Sequence, residues 1–242
     1  MPLPAGTVTL LFTDVEGSTR LWEQHPKAMR GALARHDALA TSILARHGGK
    51  LVKKRGEGDS LFAVFPRATD ALNAACELQK AFVRELWAPE TPLRVRMALH
   101  TGETELRGAD YYGVAVNRCA RLRSLARGGQ VILSQATEQL VRDGLPAGAH
   151  LEPLGEVRLR DLERPEQVFQ LIHPDLPKEC GESLDGAAQA NGNPPEAEAW
   201  RVELFGGLRL RRGEQVLTRL ETRKAEALVA YLAFFRTRPH PR

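Results

Sequence analysis

Apolar and polar residues alternate with a regular period along the first 172 residues. Residues 7–13 form an apolar run typical of a buried strand, and apolar positions from Pro26 to about Arg46 recur at helical spacing. In chain order we predict a strand at 7–13, a helix at 26–46, a hairpin turning at 56–58, a helix at 66–86, a strand at 93–102 followed by a glycine-punctuated loop, a helix at 113–126, a short strand at 129–134 and a short helix at 134–141.

This order places a hairpin between two strand–helix–strand halves. Such a split arrangement is typical of ferredoxin-like and palm-type folds. We therefore predict the α+β class, with a ferredoxin-like or palm-type βαββαβ core whose helices lie on one face of the sheet. Residues 151–172 contain one or two further short strands that close this domain.

The chain changes character after residue 173. Residues 174–199 are rich in Pro, Gly, Ala and Glu and poor in large apolar side chains, which is typical of a flexible linker. From Trp200, two alternating strands broken by a Gly-Gly pair precede a helix. We predict a domain at 1–173, a linker at 174–199 and a partial small β/α element at 200–242, whose length is marginal for an independent domain.

Composition indicates where such a chain resides. No apolar run reaches the length of a membrane span, and the first residues lack the basic and apolar regions of a secretion signal. The cysteines number 3 and are far apart, which suits a reducing compartment and offers no disulfide framework. We therefore predict a cytoplasmic protein without membrane contact.

Two carboxylates lie at predicted strand ends. Asp14 ends the first strand in "LLFTDVEGST", and Asp59 follows the hairpin turn in "GEGDS". In a split fold the first strand lies beside the hairpin, so the two acids converge, and a hard cation such as Mg²⁺ offsets their repulsion. Two such ions clamp the attacking and leaving oxygens of a phosphoryl transfer. The alternative is that Asp14 caps the helix after Gly17 and that Asp59 is a turn residue.

A small-residue turn follows the first acid. Gly17, Ser18 and Thr19 open a helix, and backbone N–H groups at such a position can bind phosphate. We expect Glu16, in the same turn, to complement the dipole of that helix.

A helical face further along the chain carries two more candidates. Asn117 and Arg121 are four residues apart in "GVAVNRCARL" and share one face. An amide suits a ribose hydroxyl, and a guanidinium suits a phosphoryl oxyanion. Arg118 and Arg123 lie elsewhere around the helix, and we expect them to be solvated.

Together these segments resemble the catalytic domain of class III nucleotidyl cyclases, the adenylate and guanylate cyclases. "FTDVEGST" is similar to the first metal-binding strand of that family, "GDSLFAVF" to the second, and "DYYGVAVNRCARL" to the helix that stabilises the transition state. The resemblance covers roughly residues 5–172. It implies formation of cyclic AMP and diphosphate from ATP, by attack of the ribose 3′-hydroxyl on the α-phosphate.

The resemblance also implies roles for individual residues. Two Mg²⁺ or Mn²⁺ ions per site would be held by Asp14, Asp59 and the backbone carbonyl of Val15. Asn117 would orient the ribose, and Arg121 would stabilise charge at the α-phosphate. Family members work as head-to-tail homodimers with shared sites, in which one subunit supplies the metal residues and the other the Asn–Arg helix.

Base selection in the family uses an Asp and a Lys. The Asp corresponds to Asp110, but the Lys position, four residues before Asp59, holds Arg55. The side chains of Lys and Arg are not interchangeable at a contact that requires a defined geometry. Two alternatives to an active adenylate cyclase therefore stay open. One is a weak or inactive nucleotide-binding domain that regulates an attached transcription activator, and the other is a plain dimerisation domain.

The C-terminal segment carries the basic bias of the chain. Residues 200–242 hold 10 of the 34 Lys and Arg but 4 of the 30 Asp and Glu, which hints at a nucleic-acid-facing element. "RKAEALVAYLA" and the strands before it resemble the start of the winged-helix domain of bacterial antibiotic-regulatory-protein activators. A recognition helix has no counterpart before Arg242, so we expect DNA binding only in a longer parent protein.

Overall fold

A computed structural model describes most of the first 177 residues and part of the remainder. The described residues are 3–52, 59–160, 162, 164–177, 201–203, 209–212 and 215–217. The chain forms two units, Met1–Ala188 and Gln189–Arg242, and each is described by itself. None of the helices within these described ranges combines the length and the apolar character that a membrane span needs. The cytoplasmic location stays a prediction.

The first unit alternates strands and helices in the predicted order. Pro26 opens the second helix, at a position where its missing N–H leaves no hydrogen bond unmade. In chain order the elements are β1 (Gly6–Val15), α1 (Ser18–Gln24), α2 (Pro26–Arg46), β2 (Lys50–Leu51), β3 (Leu61–Phe65), α3 (Ala68–Arg84), β4 (Val95–Arg107), β5 (Asp110–Tyr112), α4 (Val114–Leu125), β6 (Val131–Ser134), α5 (Gln135–Val141), β7 (His150–Val157) and β8 (Glu166–Ile172).

One sheet organises these elements, in the strand order β2-β3-β1-β4-β6-β8-β7, and β5 pairs with β4. β1 is antiparallel to both β3 and β4, and β6 is parallel to β4. The first four strands of this order, with the helices that connect them, form the predicted βαββαβ core. The α+β, ferredoxin-like palm-type fold is therefore confirmed.

Helices cover both faces of the sheet. The two long helices of the βαββαβ core, α2 and α3, lie on one face, as predicted, and α4, which follows that core, covers the other. α2 and α3 pack on the face that carries Leu11 and Val15. α4 packs on the opposite face, against Leu10 and Phe12. The reason lies in β1, which is buried at every position from Val8 to Thr13. Because successive side chains of a strand point to opposite faces, such a strand needs cover on both sides.

Two connections complete the first unit. The chain from β4 turns at Gly108, with a φ of 62°, into β5, so a hairpin stands where we predicted a loop. The predicted turn at 56–58 lies outside the described residues. Lys50 nevertheless pairs with Val64 in an antiparallel ladder, as the predicted hairpin requires.

The second unit contains a three-stranded antiparallel sheet. Its strands are β9 (Arg201–Glu203), β10 (Arg209–Arg212) and β11 (Gln215–Leu217), in the order β11-β10-β9. Most of the predicted linker at 174–199 and all of the predicted helix in "RKAEALVAYLA" lie outside the described residues. The domain boundaries and the winged-helix resemblance therefore stay predictions.

Candidate active site

A carboxylate stands at the tip of the buried strand β1. Asp14 lies opposite Arg96 of β4, and its side chain is 14% exposed. Arg96 donates two hydrogen bonds to Asp14 Oδ2, one of them from Nε at 2.8 Å. The hydroxyl of Ser60 donates to Oδ1 at 2.7 Å. Both oxygens of the carboxylate are therefore held by the chain on either side of β1.

A second carboxylate lies beside the first. Asp59 adjoins Ser60 just before β3 and is 3% exposed. Because β1 and β3 are antiparallel, with Thr13 opposite Leu61, Asp14 and Asp59 leave the ladder at the same end. Both acids therefore lie at the same end of neighbouring strands. The convergence of their carboxylates on a metal ion stays a prediction.

The oxygen atoms at this edge suit a hard cation. Carboxylates and a backbone carbonyl, such as that of Val15, are ligands that Mg²⁺ and Mn²⁺ prefer. Within the described ranges, no group of 3 or more His, Cys, Asp or Glu side chains is arranged to hold a metal. An ion bound by Asp14 and Asp59 therefore needs further oxygens from phosphate or water, which is usual for Mg²⁺. A bound cation also offsets the cost of burying the Asp59 carboxylate.

The turn after Asp14 has a conformation that favours glycine. Gly17 has a φ of 69°, in the left-handed region, and α1 begins at Ser18. Ser18 is half-buried and Thr19 is exposed. Glu16 does not act on the dipole of α1 as expected, because it accepts a hydrogen bond from the backbone N–H of Gly128 at 3.0 Å. It thereby ties the loop before β6 to this turn.

The two candidates on α4 are exposed and share a surface pocket. Asn117 and Arg121 lie one helical turn apart, as their spacing predicted. Together with Ala120, Arg123 and Ser124 they line a pocket of about 330 Å³. One Asn and two Arg among the lining residues suit a polyanionic ligand.

Arg118 and Arg123 are half-buried and have partners within the chain, whereas we expected them to be solvated. Arg118 forms an ion pair of 3.0 Å with Glu166, whose side chain is 6% exposed. The guanidinium of Arg123 lies 5.9 Å from the ring centre of Phe12, and an N–H group donates to Ser60 at 3.4 Å. Long cationic side chains can follow apolar surface to reach a partner, and helix periodicity alone does not show this.

The candidate base contact Asp110 lies at the other end of the sheet. Asp14 is opposite Arg96, whereas Asp110 is opposite Arg107 in the β4–β5 hairpin. At about 3.3 Å per residue, an extended strand from Arg96 to Arg107 spans roughly 35 Å. Arg55 lies outside the described residues. One chain therefore does not bring Asp110 to the two acids.

A buried polar network fixes the strands beside the site. His100 Nδ1 and the Ser134 hydroxyl are 2.8 Å apart, and the hydroxyls of Thr101 and Thr137 are 3.0 Å apart. Burial, together with the nearby Arg118, lowers the pKa of His100 from 6.5 to about 4. His100 is therefore neutral at pH 7 and serves as a hydrogen-bonding group inside the sheet.

The sequence pattern did not identify Arg96 and Ser60. The sequence could have indicated Arg96, because a charged residue between the buried Val95 and Met97 needs a partner near the end of its strand. Ser60 has no signal except its place next to Asp59. Only the pairing of the strands shows that both groups meet Asp14.

The split sheet, with Asp14 at the tip of its first strand and Asp59 just before the neighbouring strand β3, defines a palm-type cyclase fold. The sequence model of the adenylate and guanylate cyclase catalytic domain matches residues 2–173, and the chain belongs to that family.

Known relatives agree with this assignment. The uncharacterized protein Rv0891c of Mycobacterium tuberculosis is 50% identical over 173 residues, which are 72% of this chain and 58% of that protein. The chain thus spans little more than half the length of this relative. A receptor-type adenylate cyclase of Trypanosoma equiperdum is 32% identical over 206 residues, covering 68% of this chain and 44% of that protein.

A solved structure is similar in fold as well as in sequence. It belongs to the adenylate cyclases from Trypanosoma brucei in their monomeric state. It matches with a TM-score of 0.62 and 30% identity, over 71% of this chain and 90% of that one.

The lowered pKa of His100 predicts an acid-sensitive contribution to stability. Below pH 6.5 the unfolded chain binds a proton at His100, whereas the folded chain does so only near pH 4. Stability from this group is therefore complete above pH 6.5 and is lost as the pH falls toward 4, by about 3 kcal/mol. Urea unfolding at pH 7, 5.5 and 4.5 should show that the free energy of unfolding falls more steeply with decreasing pH for wild type than for His100→Asn.

The matched control is His150→Asn, because His150 has a side chain that is 59% exposed on β7. This variant should follow the wild-type pH dependence. Parallel pH curves for wild type and His100→Asn would contradict the assignment of a neutral, buried His100.

Proposed function

We propose that this chain is an adenylate cyclase, which forms cyclic AMP and diphosphate from ATP. The observation that carries the proposal is the buried strand β1, which holds Asp14 at its tip beside Asp59 in a chain of the cyclase family. Support for ATP as the substrate comes from similarity to the trypanosomal adenylate cyclases, at 30–32% identity.

The reaction is an internal phosphoryl transfer. The ribose 3′-hydroxyl releases its proton to solvent as its oxygen attacks the α-phosphorus. The bond from that phosphorus to the oxygen bridging to the β-phosphate breaks, and diphosphate leaves. Asp14, Asp59 and the carbonyl of Val15 would hold two Mg²⁺ or Mn²⁺ ions. Such ions, when bound, stabilise the charged oxygens and make the hydroxyl more acidic. Arg96 and Ser60 keep the Asp14 carboxylate oriented throughout.

The other polar groups bind and orient the nucleotide. Asn117 holds the ribose, and Arg121 stabilises the charge that grows at the α-phosphate. The backbone N–H groups of Gly17, Ser18 and Thr19 contact the triphosphate at the start of α1.

We infer that the active unit is a homodimer with shared sites. Asp110 and the acids of one chain lie at opposite ends of β4, roughly 35 Å apart along the strand. Asn117 and Arg121 are exposed on the outer face of α4, where a second copy can reach them. A head-to-tail partner places its α4 and its Asp110 against the acids of the first chain.

A second candidate function is supported by Arg55. In that case the domain binds nucleotide, turns it over weakly and regulates an attached transcription activator, and DNA binding belongs to a longer parent protein. The basic segment at 200–242 and the Arg in place of Lys favour this candidate. Nucleotide binding without turnover distinguishes it from the adenylate cyclase. Absence of metal-dependent nucleotide binding would leave only a dimerisation domain.

A cyclase assay with ATP and GTP, in Mn²⁺ and at high protein concentration, tests the proposed activity. Asp14→Asn keeps the size of the side chain and an acceptor for Ser60 but removes the negative charge, so we expect at least a 100-fold loss of cyclic AMP formation. The control Asp70→Asn changes an acid that is 41% exposed at the start of α3 and should retain wild-type activity. Full activity of Asp14→Asn would reject the metal assignment.

Mixing two inactive variants tests the shared site. Asp14→Asn and Arg121→Ala each spoil both sites of their own homodimer. A heterodimer of the two contains one site with both defects and one intact site, so mixing should restore about a quarter of wild-type activity for random association. Native mass spectrometry, which resolves the small mass difference between the two variants, reports whether heterodimers form. Heterodimers without activity would exclude the head-to-tail arrangement.

Arg55→Lys tests base selection. If Arg55 and Asp110 contact the base, the shorter ammonium of Lys should improve the fit, raise kcat/KM for ATP about 10-fold and sharpen the preference over GTP. The neighbouring Lys54→Arg serves as the control and should leave both values unchanged. If Arg55→Lys has the same kcat/KM as wild type for ATP, and also the same kcat/KM as wild type for GTP, Arg55 does not contact the base.

A further inference from the structure

Arg123 connects α4 to the Asp14 carboxylate through one hydroxyl group. A terminal N–H of Arg123 donates to Ser60 Oγ at 3.4 Å, and this hydroxyl donates its hydrogen to Asp14 Oδ1 at 2.7 Å. The two bonds are compatible, because a hydroxyl can accept one hydrogen bond while it donates another. The result is a chain of donors that starts on α4 and ends on the acid.

The guanidinium also has an aromatic neighbour. It lies over Phe12, and Phe12 stacks on Phe62 with ring centres 4.4 Å apart. Arg123 Nε is buried and makes no hydrogen bond to any part of the chain that the structure describes. Burying an unpaired N–H is unfavourable, so the remaining contacts of this side chain, with Ser60 and Phe12, have to offset that cost.

We propose that Arg123 is a positioning residue for the metal site. By fixing the hydroxyl of Ser60, it holds the Asp14 carboxylate in the orientation that binds a divalent cation. The inference rests on the proposed function, because it takes Asp14 as a metal ligand. Hydrogen-bond partners of a metal ligand commonly change metal affinity by about 10–100-fold. Arg123 stands one step further from the ion, so its effect is smaller, about 3–10-fold.

The sign of the change in metal affinity distinguishes a positioning role of Arg123 from a purely electrostatic one. Arg123 is a cation close to a cation site, and its charge alone repels a divalent ion. Removing only the charge therefore raises metal affinity, whereas removing the support of Asp14 lowers it. A loss of affinity when Arg123 is replaced by an apolar side chain is explained by positioning and has the opposite sign to the electrostatic effect.

The test is a titration of the full chain with Mn²⁺ alone, in which electron paramagnetic resonance measures the free ion. We expect Arg123→Met to weaken Mn²⁺ binding about 3–10-fold and Ser60→Ala to weaken it about 10-fold. Because Arg123 acts through Ser60, the double variant should bind no more weakly than Ser60→Ala. The control is Arg67→Met, which removes a cation whose side chain is 74% exposed beyond the other end of β3.

The Mn²⁺ titration distinguishes failure of this inference from failure of the proposed function. Tighter or unchanged Mn²⁺ binding by Arg123→Met, or losses that multiply in the double variant, overturns the role of Arg123 while the proposed function stands. A wild-type chain that binds no Mn²⁺ in the absence of nucleotide overturns the inference, and the cyclase assay then decides the proposed function. If thermal unfolding shows that Arg123→Met is not folded, Arg123→Lys replaces it. This variant keeps the charge but not the planar group over Phe12, and unchanged affinity would again overturn the inference.

Discussion

The hydrogen bonds from Arg96 and Ser60 to Asp14 hold a negative charge at the tip of a strand that is otherwise buried on both faces. A carboxylate in such a place is unfavourable unless donors or cations surround it. β1 obtains both because it lies between β3 and β4, one of which follows directly on Ser60 while the other carries Arg96. The central position of β1 is therefore a condition for the site as well as a property of the sheet.

The same constraint explains why the sheet is covered twice. A central strand with apolar residues on both faces needs a layer of helices on each side. α2 and α3 supply one layer, and α4 supplies the other. Because α4 packs directly on β1, it brings Arg123 to Ser60 with its inner side and leaves Asn117 and Arg121 exposed on its outer side. One helix thus faces the acids of its own chain and presents polar groups outward.

The sequence predicted the features that depend on local pattern. The period of apolar residues located the helices and strands of the first unit. The split order predicted that β1 lies beside β3, which puts Asp14 and Asp59 at the same end of neighbouring strands, because the order of strands in a sheet follows from a few connection rules. The pattern failed where a long side chain crosses between elements. Arg118 reaches Glu166, and Arg123 reaches Ser60, and neither contact follows from position on a helix. We did not predict that α4 covers the second face of the sheet. The apolar run of β1, which has no alternation, nevertheless indicates a strand buried on both faces.

The length of β4 has a consequence for how such a domain is controlled. β4 carries Arg96 at the end where the acids lie, and at its other end it turns into the hairpin of Asp110, roughly 35 Å along an extended strand. A sheet buried in two layers does not bend enough to bring its two ends together, since packed interiors resist large deformation. On the proposed mechanism, a complete site therefore forms only between two chains. The quantity that regulates turnover is then the arrangement of the dimer, which can change without any change at the acids themselves.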